Sequence, residues 1–265
     1  MTLPVPVHAP VGPYSAAVAE LPVTTRPSDV QRGAIVVVSR NESWPDAVRA
    51  AITSGAAAIV LADPCVTGYS AMRALARDVT VPVIVERPRL RGDAIRKAIA
   101  TRVEDGAVLW PNVVTVECEA PTELLAAVVR DAVGWLRVLS NATVAMSSSL
   151  VLETAGLALL ESPRRAGAGL SMPLRWTAGG PSVDGWIRVN ALGEQRTEIV
   201  VDGARATVAF ENAGGRTIAP PSREGSPRLA LRRAVQALSE GDVPTDLTEL
   251  AADVELAHRI LSRRP

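Results

Sequence analysis

The sequence is short of reactive side chains. Its 265 residues include one lysine, Lys97, two histidines, His8 and His258, two cysteines, two tyrosines and a single phenylalanine. General acid–base and nucleophilic catalysis draw on His, Lys, Cys, Tyr and carboxylates held within hydrogen-bond reach of a substrate. Any chemistry here therefore falls to a handful of nameable residues. Cys65 and Cys118 lie far apart, with no CxxC and no histidine beside them, which argues against a zinc site or a disulfide framework and for two reduced, buried thiols. No apolar run approaches the ~18–20 residues that span a bilayer. The opening MTLPVPVHAPVGPYS has no basic stretch ahead of an apolar one, so no secretion signal is expected, the Asn141-Ala-Thr143 acceptor pattern carries no weight, and the expected location is the cytoplasm. Lys and Arg together number 28, as do Asp and Glu. With no long run of one sign, the chain lacks the electrostatic footprint of a nucleic-acid partner.

What is present is globular: 48% hydrophobic and 21% charged residues, long enough for one or two domains. The first third alternates strand and helix signals. Residues 34–39 (AIVVVS), 57–62 and 81–85 are continuous apolar runs, as expected of parallel strands buried on both faces. Between them, Trp44, Val48, Ala51 and Ile52 share a helical face that ends at Gly55, and further helices are expected over 70–77 and 91–100. Such βαβ order builds a parallel sheet with right-handed crossovers. The pattern changes near residue 106. Residues 108–119 (VLWPNVVTVECE) read as one long strand interrupted at Pro111, followed by a helix opening at Pro121 and running to Leu139. Strand-like runs separated by Gly-containing turns then extend from 142 to 219, with Asp202-Gly203 a strong hairpin signal. Helices over 227–239 and 247–261 close the chain. The fold class is thus α/β followed by α+β: a truncated Rossmann-like parallel-sheet domain over 1–105, then an α+β domain with a large, mostly antiparallel open sheet over 106–265.

Several phrases in this order resemble the glucose–fructose oxidoreductase/inositol dehydrogenase (Gfo/Idh/MocA) family: VVVSRNESWPDAVRAAITSGAAAIVLADP (36–64), VIVERPRLRGDAIRKAI (83–99), VVRDAVGWLRVLSN (128–141), EIVVDGARATVAF (198–210) and ALSEGDVPTDLTELAADVELAHRIL (237–261). The resemblance covers roughly residues 20–263. It implies a dinucleotide-binding Rossmann domain joined to an open-sheet domain, and NAD(P)-dependent oxidoreductase ancestry. The departures fall on the machinery. Where the family has a GxGxxG turn, this chain has VPVHAPVGPYSAAV, whose one glycine, Gly12, is flanked by prolines that lack the N–H needed to cradle a pyrophosphate. About one βαβ unit and its ribose-binding acidic residue are also missing. The family's Glu-Lys-Pro reads Ala62-Asp63-Pro64. Asp131 matches the motif aspartate, and Trp135 stands where the resemblance places the catalytic histidine.

The candidate residues each carry a functional and a plain reading. Asp63, after a buried strand at the end where open parallel sheets bind ligands, is either a residual ligand contact or a helix cap. Asp131 is either a cleft-facing catalytic carboxylate or a helix-surface one. Arg87, Arg89 and Arg91, at alternate positions, are either a site for a carboxylate or phosphate or solvated charge; Trp135 joins them as a ligand-binding candidate or is a core residue. Trp110, Trp176 and Trp186 read as core or sheet-interface residues. Lys97 reads as solvated, His258 as a helix-end residue, and His8 as a terminal residue or part of a reshaped pocket. No metal is expected, and no cofactor. The first functional reading is a family member that has lost NAD(P) binding and catalysis and acts as an accessory subunit or binds a small polar metabolite, associating with itself or with a catalytic homologue. The second is an active oxidoreductase using NAD or NADP on a sugar- or polyol-like substrate, with Asp63, Asp131 or Tyr14 in unfamiliar roles. The third is a regulatory or sensory binding module.

Overall fold

Runs of β-branched residues make the first sheet. In a computed structural model that describes residues 3–262 apart from 11, 42, 67, 105–106, 163–167, 178–183 and 204, the chain begins β1 (Val5–His8), α1 (Gly12–Ala19), β2 (Thr25–Pro27), β3 (Ile35–Val38), α2 (Trp44–Thr53), β4 (Ala58–Ala62), α3 (Tyr69–Asp78) and β5 (Val83–Glu86). The five strands are all parallel, in the order β2-β1-β3-β4-β5. Every residue of β3, β4 and β5 is buried, which is why these strands read as unbroken apolar runs rather than alternating ones. Ile35, Val37, Ala58, Val60 and Ile84 join one core with Tyr14, Ala17 and Val18 of α1.

The rest of the chain runs α4 (Gly92–Ala100), β6 (Val103–Glu104), β7 (Ala107–Val108), β8 (Val113–Pro121), α5 (Leu125–Ser140), β9 (Ala145–Val151), β10 (Ala155–Glu161), β11 (Gly169–Thr177), β12 (Trp186–Leu192), β13 (Arg196–Asp202), β14 (Arg205–Asn212), β15 (Gly215–Ile218), α6 (Ser226–Glu240) and α7 (Asp246–Leu261). Eight strands form a second sheet in the order β15-β14-β13-β12-β8-β11-β10-β9. Only the β8–β11 pair is parallel; the other neighbours are antiparallel. The expected fold class is the observed one: a parallel Rossmann-like sheet, then a large, mostly antiparallel sheet. Among the described residues, no helix is long and apolar enough to cross a membrane.

The boundaries differ from the sequence reading in two places. Pro111 does not merely interrupt a strand over 108–119. It ends one ladder, β7 on β6, before β8 starts a new one, as a residue without an N–H donor does inside a sheet. The chain also divides otherwise than at one point near residue 105: one compact unit is Met1–Arg87 with Arg223–Ala252, the other Pro88–Ser222 with Asp253–Pro265. We call them unit 1 and unit 2. The reason is α6, whose Ala230, Leu231, Ala234 and Ala237 complete the core made by α1 and the parallel sheet. A helical apolar stripe announces that it must be covered, not by which sheet.

In unit 2 the period-2 pattern decides the faces. Val114, Val116, Cys118 and Ala120 of β8, Leu170, Met172, Leu174 and Trp176 of β11, Ile187, Val189 and Ala191 of β12, and Ile199 and Val201 of β13 share one core with α5 and with Leu256, Ala257 and Ile260 of α7. The alternate residues form the other face. There Leu150, Leu157 and Leu159 are exposed, and Trp186 has the Arg188 guanidinium 5.2 Å from its ring centroid. The hairpin at Asp202-Gly203 forms as expected, with Asp202 opposite Arg205 and Gly203 at φ +55°. At Gly185 (φ +78°) a Cβ would come within 2.5 Å of Val128, so only glycine lets α5 approach the start of β12.

Candidate functional site

The carboxyl edge of the parallel sheet is where open α/β sheets bind ligands. In unit 1 that edge carries His8 at the end of β1, Arg40 after β3, Asp63 after β4 and Glu86 at the end of β5. Tyr14 in the first turn of α1 is buried, and its hydroxyl donates to Glu86 Oε2 at 3.2 Å. Burial first, then the Glu86 charge and hydrogen bond, then the Asp63 charge, push the Tyr14 pKa above the ordinary tyrosine range. Tyr14 stays protonated at neutral pH and gives up its proton poorly. A tyrosine acting as general acid or base near neutrality needs the opposite shift.

Asp63 has φ +35°, an uncommon conformation for a residue with a Cβ. Its N–H donates to the Glu86 carbonyl at 2.9 Å, and its carboxylate accepts from Arg40 Nη1 at 3.3 Å. It does not cap the next helix: α3 starts at Tyr69, with Gly68 before it. His8 Nδ1 lies 3.2 Å from the Ser28 carbonyl, so that nitrogen carries the proton and donates it to the bond. The polar side chains of this edge are thus engaged with the protein itself: Tyr14 with Glu86, Asp63 with Arg40 and His8 with Ser28.

The second group of candidates lies on and beside α5 in unit 2. Asp131 is fully buried, not on a helix surface. Arg130 grips it with two hydrogen bonds, Nε to Oδ1 at 2.9 Å and Nη2 to Oδ2 at 3.1 Å, and Arg89 Nε lies 3.3 Å from Oδ2. Trp135, one turn on, is equally buried and donates from Nε1 to the Arg89 carbonyl at 2.8 Å. Arg87, Arg89 and Arg91 are all buried, so the solvated-charge reading of this cluster fails. Arg89 turns to Asp131 and to the Asp184 carbonyl at 3.3 Å, and Arg91 pairs in two-pronged fashion with Asp93. Burying this much charge is tolerable only because it is paired.

Two partners went unread in the sequence, and one residue was read wrongly. Glu86 partners Tyr14 across 72 residues; its signal was a carboxylate closing a buried strand, VIVE. Arg130 neutralises Asp131; its signal was two adjacent opposite charges flanked by apolar residues in the helix (VVRDAV). Lys97 is not simply solvated: Nζ donates to the Pro220 carbonyl and to Ser222 Oγ, both at 2.7 Å. Trp176 belongs to the core as expected, and His258 lies in the last turn of α7, 3.3 Å from Ser262 Oγ. Among the described residues there is no His/Cys/Asp/Glu group fit for a metal ion.

No family model matches this chain, and no curated sequence does. Solved structures match it over nearly its whole length. The 3-ketoreductase KijD10 from Actinomadura kijaniata, in complex with NADP and TDP-benzene, aligns with a TM-score of 0.68 at 12% identity, covering 98% of this chain and 97% of that one. The UDP-N-acetylglucosamine 3-dehydrogenase GnnA from Acidithiobacillus ferrooxidans aligns at 0.71 and 10% identity, with the same coverage. An oxidoreductase from Sinorhizobium meliloti gives 0.72 and 10%, again at 98% and 97%. At such identities the likeness is one of fold.

A fold of this kind raises the question of a nicotinamide dinucleotide. Its pyrophosphate rests on backbone N–H groups at the helix N-terminus after the first strand. Here the first turn of α1 reads Gly12-Pro13-Tyr14-Ser15, so Pro13 offers no donor. The Ser15 hydroxyl bonds back to the Ala9 carbonyl at 3.0 Å. The Glu86 and Asp63 carboxylates at this edge supply no donor to a phosphate, the Arg40 guanidinium is taken up by Asp63, and Tyr14 is buried. These residues fit a dinucleotide pyrophosphate poorly.

Proposed function

Starting from the two-domain fold of Gfo/Idh/MocA-type oxidoreductases, which this chain carries over nearly its whole length, we propose that it has set aside NAD(P) binding and works in the cytoplasm as a non-catalytic subunit, paired with itself or with a catalytic homologue. One observation carries the reading: at the carboxyl edge of the parallel sheet the polar side chains are engaged with the protein itself, Tyr14 with Glu86 and Asp63 with Arg40. The residues that would move protons support it as well. Tyr14 is held protonated, and Asp131 is buried between two guanidiniums.

The open sheet face supports association. Eight strands at ~4.8 Å spacing and about seven residues each give a face of roughly 34 by 23 Å, near the ~800 Å² per partner of a standard stable interface. Its β9–β10 end presents Leu150, Leu157 and Leu159, with Val113 and Leu192 exposed further across. The rest of the face carries both signs, with Arg216 paired to Glu198 at 2.7 Å toward the β15 end and Arg175 near Glu119 at 3.9 Å on β11 and β8, so a second copy meets no single-sign repulsion.

A second reading, an active NAD(P)-dependent oxidoreductase on a sugar-like substrate, draws support from the matched coverage of KijD10, whose structure holds NADP. Turnover separates the two. The purified protein is incubated with reduced or oxidised nicotinamide and a panel of nucleotide sugars and polyols, alone and after co-expression with a motif-complete homologue. The first reading expects a stable complex and no change in nicotinamide absorbance from this chain alone. Turnover by the isolated chain supports the second, and a monodisperse monomer under both conditions removes the subunit role.

A further inference from the structure

The chain passes between its two units three times, at 87–88, 222–223 and 252–253. We propose that α4 and α5 of unit 2 form a set of three grips, each seizing the chain within two residues of a crossing, so that each crossing segment is held as a fixed part of unit 2. This does not depend on the functional reading above.

At the first crossing the grip is double. Trp135 of α5 donates to the Arg89 backbone carbonyl, and Asp131 of α5 holds the Arg89 side chain, itself neutralised further by Arg130. Backbone and side chain of one residue are thus fixed by two groups four residues apart on the same helix face. At the second crossing Lys97 of α4 reaches the Pro220 carbonyl and the Ser222 hydroxyl, both at 2.7 Å. Asp93, one turn back on α4, adds a hydrogen bond with Ser222. The chain's only lysine is spent on the last residues before the boundary. At the third crossing Asp253, the first residue of the closing segment of unit 2, is buried and receives a two-pronged bond from Arg137 of α5 at 2.9 and 3.0 Å.

The pattern is what makes the inference. Buried ion pairs are weak sources of net stability and are better attested as devices that fix one arrangement over others. Here they fall on the first and third crossings, with the Lys97 hydrogen bonds on the second, all from side chains of two helices neighbouring in the sequence. Their effect is to confine backbone freedom to the bonds at the boundaries themselves. At the third crossing α7 runs through unbroken from Asp246 to Leu261.

Trypsin reads the first grip directly, because the Arg89–Leu90 and Arg91–Gly92 bonds lie inside it while Arg87–Pro88 is uncleavable. Limited proteolysis of the full chain with mass-spectrometric mapping is run on wild type, Trp135→Phe, Ser222→Ala and Arg137→Gln. The wild type is expected to resist at 89–90 and 91–92, and Trp135→Phe to be cut there at least tenfold faster with 222–223 and 252–258 unchanged in amide exchange. Ser222→Ala should raise exchange at 219–223 alone and speed amine labelling of Lys97 severalfold. Arg137→Gln should raise exchange at 252–258 alone, and Arg137→Lys should restore most of the protection. Wild-type cleavage at 89–90 as fast as at exposed arginines overturns the proposal, as does any variant whose effect spreads evenly through unit 2. If Trp135→Phe does not fold, the wild-type map together with the Ser222 and Arg137 variants decides between the same two outcomes.

Discussion

Replacing Asp131 with asparagine keeps its shape and removes its charge, which leaves the Arg130 and Arg89 guanidiniums buried with their shared counter-ion gone. Arg130 and Asp131 have no exposed side-chain surface and Arg89 has 6%. Removing one partner of a buried ion pair costs about 3–5 kcal/mol, because the remaining charge is uncompensated in a poor solvent. In a chain of this size 1 kcal/mol moves the melting temperature by about 2–4 °C, so Asp131→Asn is expected to lower it by roughly 6–20 °C. The assay is thermal or urea unfolding followed by tryptophan fluorescence, which Trp135 and Trp176 in the core of unit 2 make sensitive to this region. A catalytic carboxylate behaves otherwise: neutralising it spares or raises stability and abolishes activity. A loss below about 1 kcal/mol would refute the assignment of Asp131 as an internal counter-ion.

Four further outcomes follow. Tyr14→Phe removes the donor that Glu86 accepts and should cost about 1–3 kcal/mol in unfolding free energy, whereas a neutral result would mean the hydroxyl bond is idle. Burial pushes the Cys118 thiol up to about 12, so native protein should take one equivalent of iodoacetamide, at Cys65, and two only after denaturation. Desolvation raises the Asp93 pKa, but hydrogen bonds from Arg91 and Ser222, the Arg91 charge and the Ala94 N–H outweigh it and hold it at about 2. A carboxyl depressed in the folded state stabilises above its unfolded pKa, so a contribution of at most about 2 kcal/mol should fade between pH about 4 and about 2 and be absent in Asp93→Asn. Leu231→Ala in α6 should cost about 2–5 kcal/mol, with increased amide exchange in β4 and β5 rather than in the eight-stranded sheet.

The fold was largely legible because both sheets impose strong periods. IVVV and AIVLA have no polar positions to alternate, and only a strand covered on both faces needs that; GWIRVNAL alternates because only one face is covered. What escaped were pairings across long separations. Nothing local in LRRAVQAL says that its apolar stripe meets the first sheet rather than the second. Asp131 looked like surface charge because a lone carboxylate usually is; the adjacent Arg130, flanked by apolar residues on both sides, was the cue that both are buried. Arg87, Arg89 and Arg91 were read by composition, while Arg89 is held by α5 and Arg91 by Asp93, and no spacing rule connects Arg89 to α5. The proline-flanked Gly12 turn was legible as a departure, but the Tyr14–Glu86 bond at the same edge joins residues 72 apart and is visible only in three dimensions.

The central claim, that the carboxyl edge of unit 1 does not take a nicotinamide dinucleotide, is tested most directly by calorimetric titration of the purified chain with NAD+, NADH, NADP+ and NADPH. Losing several charge-assisted contacts worth roughly 1.5–3 kcal/mol each should place all four dissociation constants at about 1 mM or weaker. A dissociation constant in the low micromolar range for any of them would contradict it.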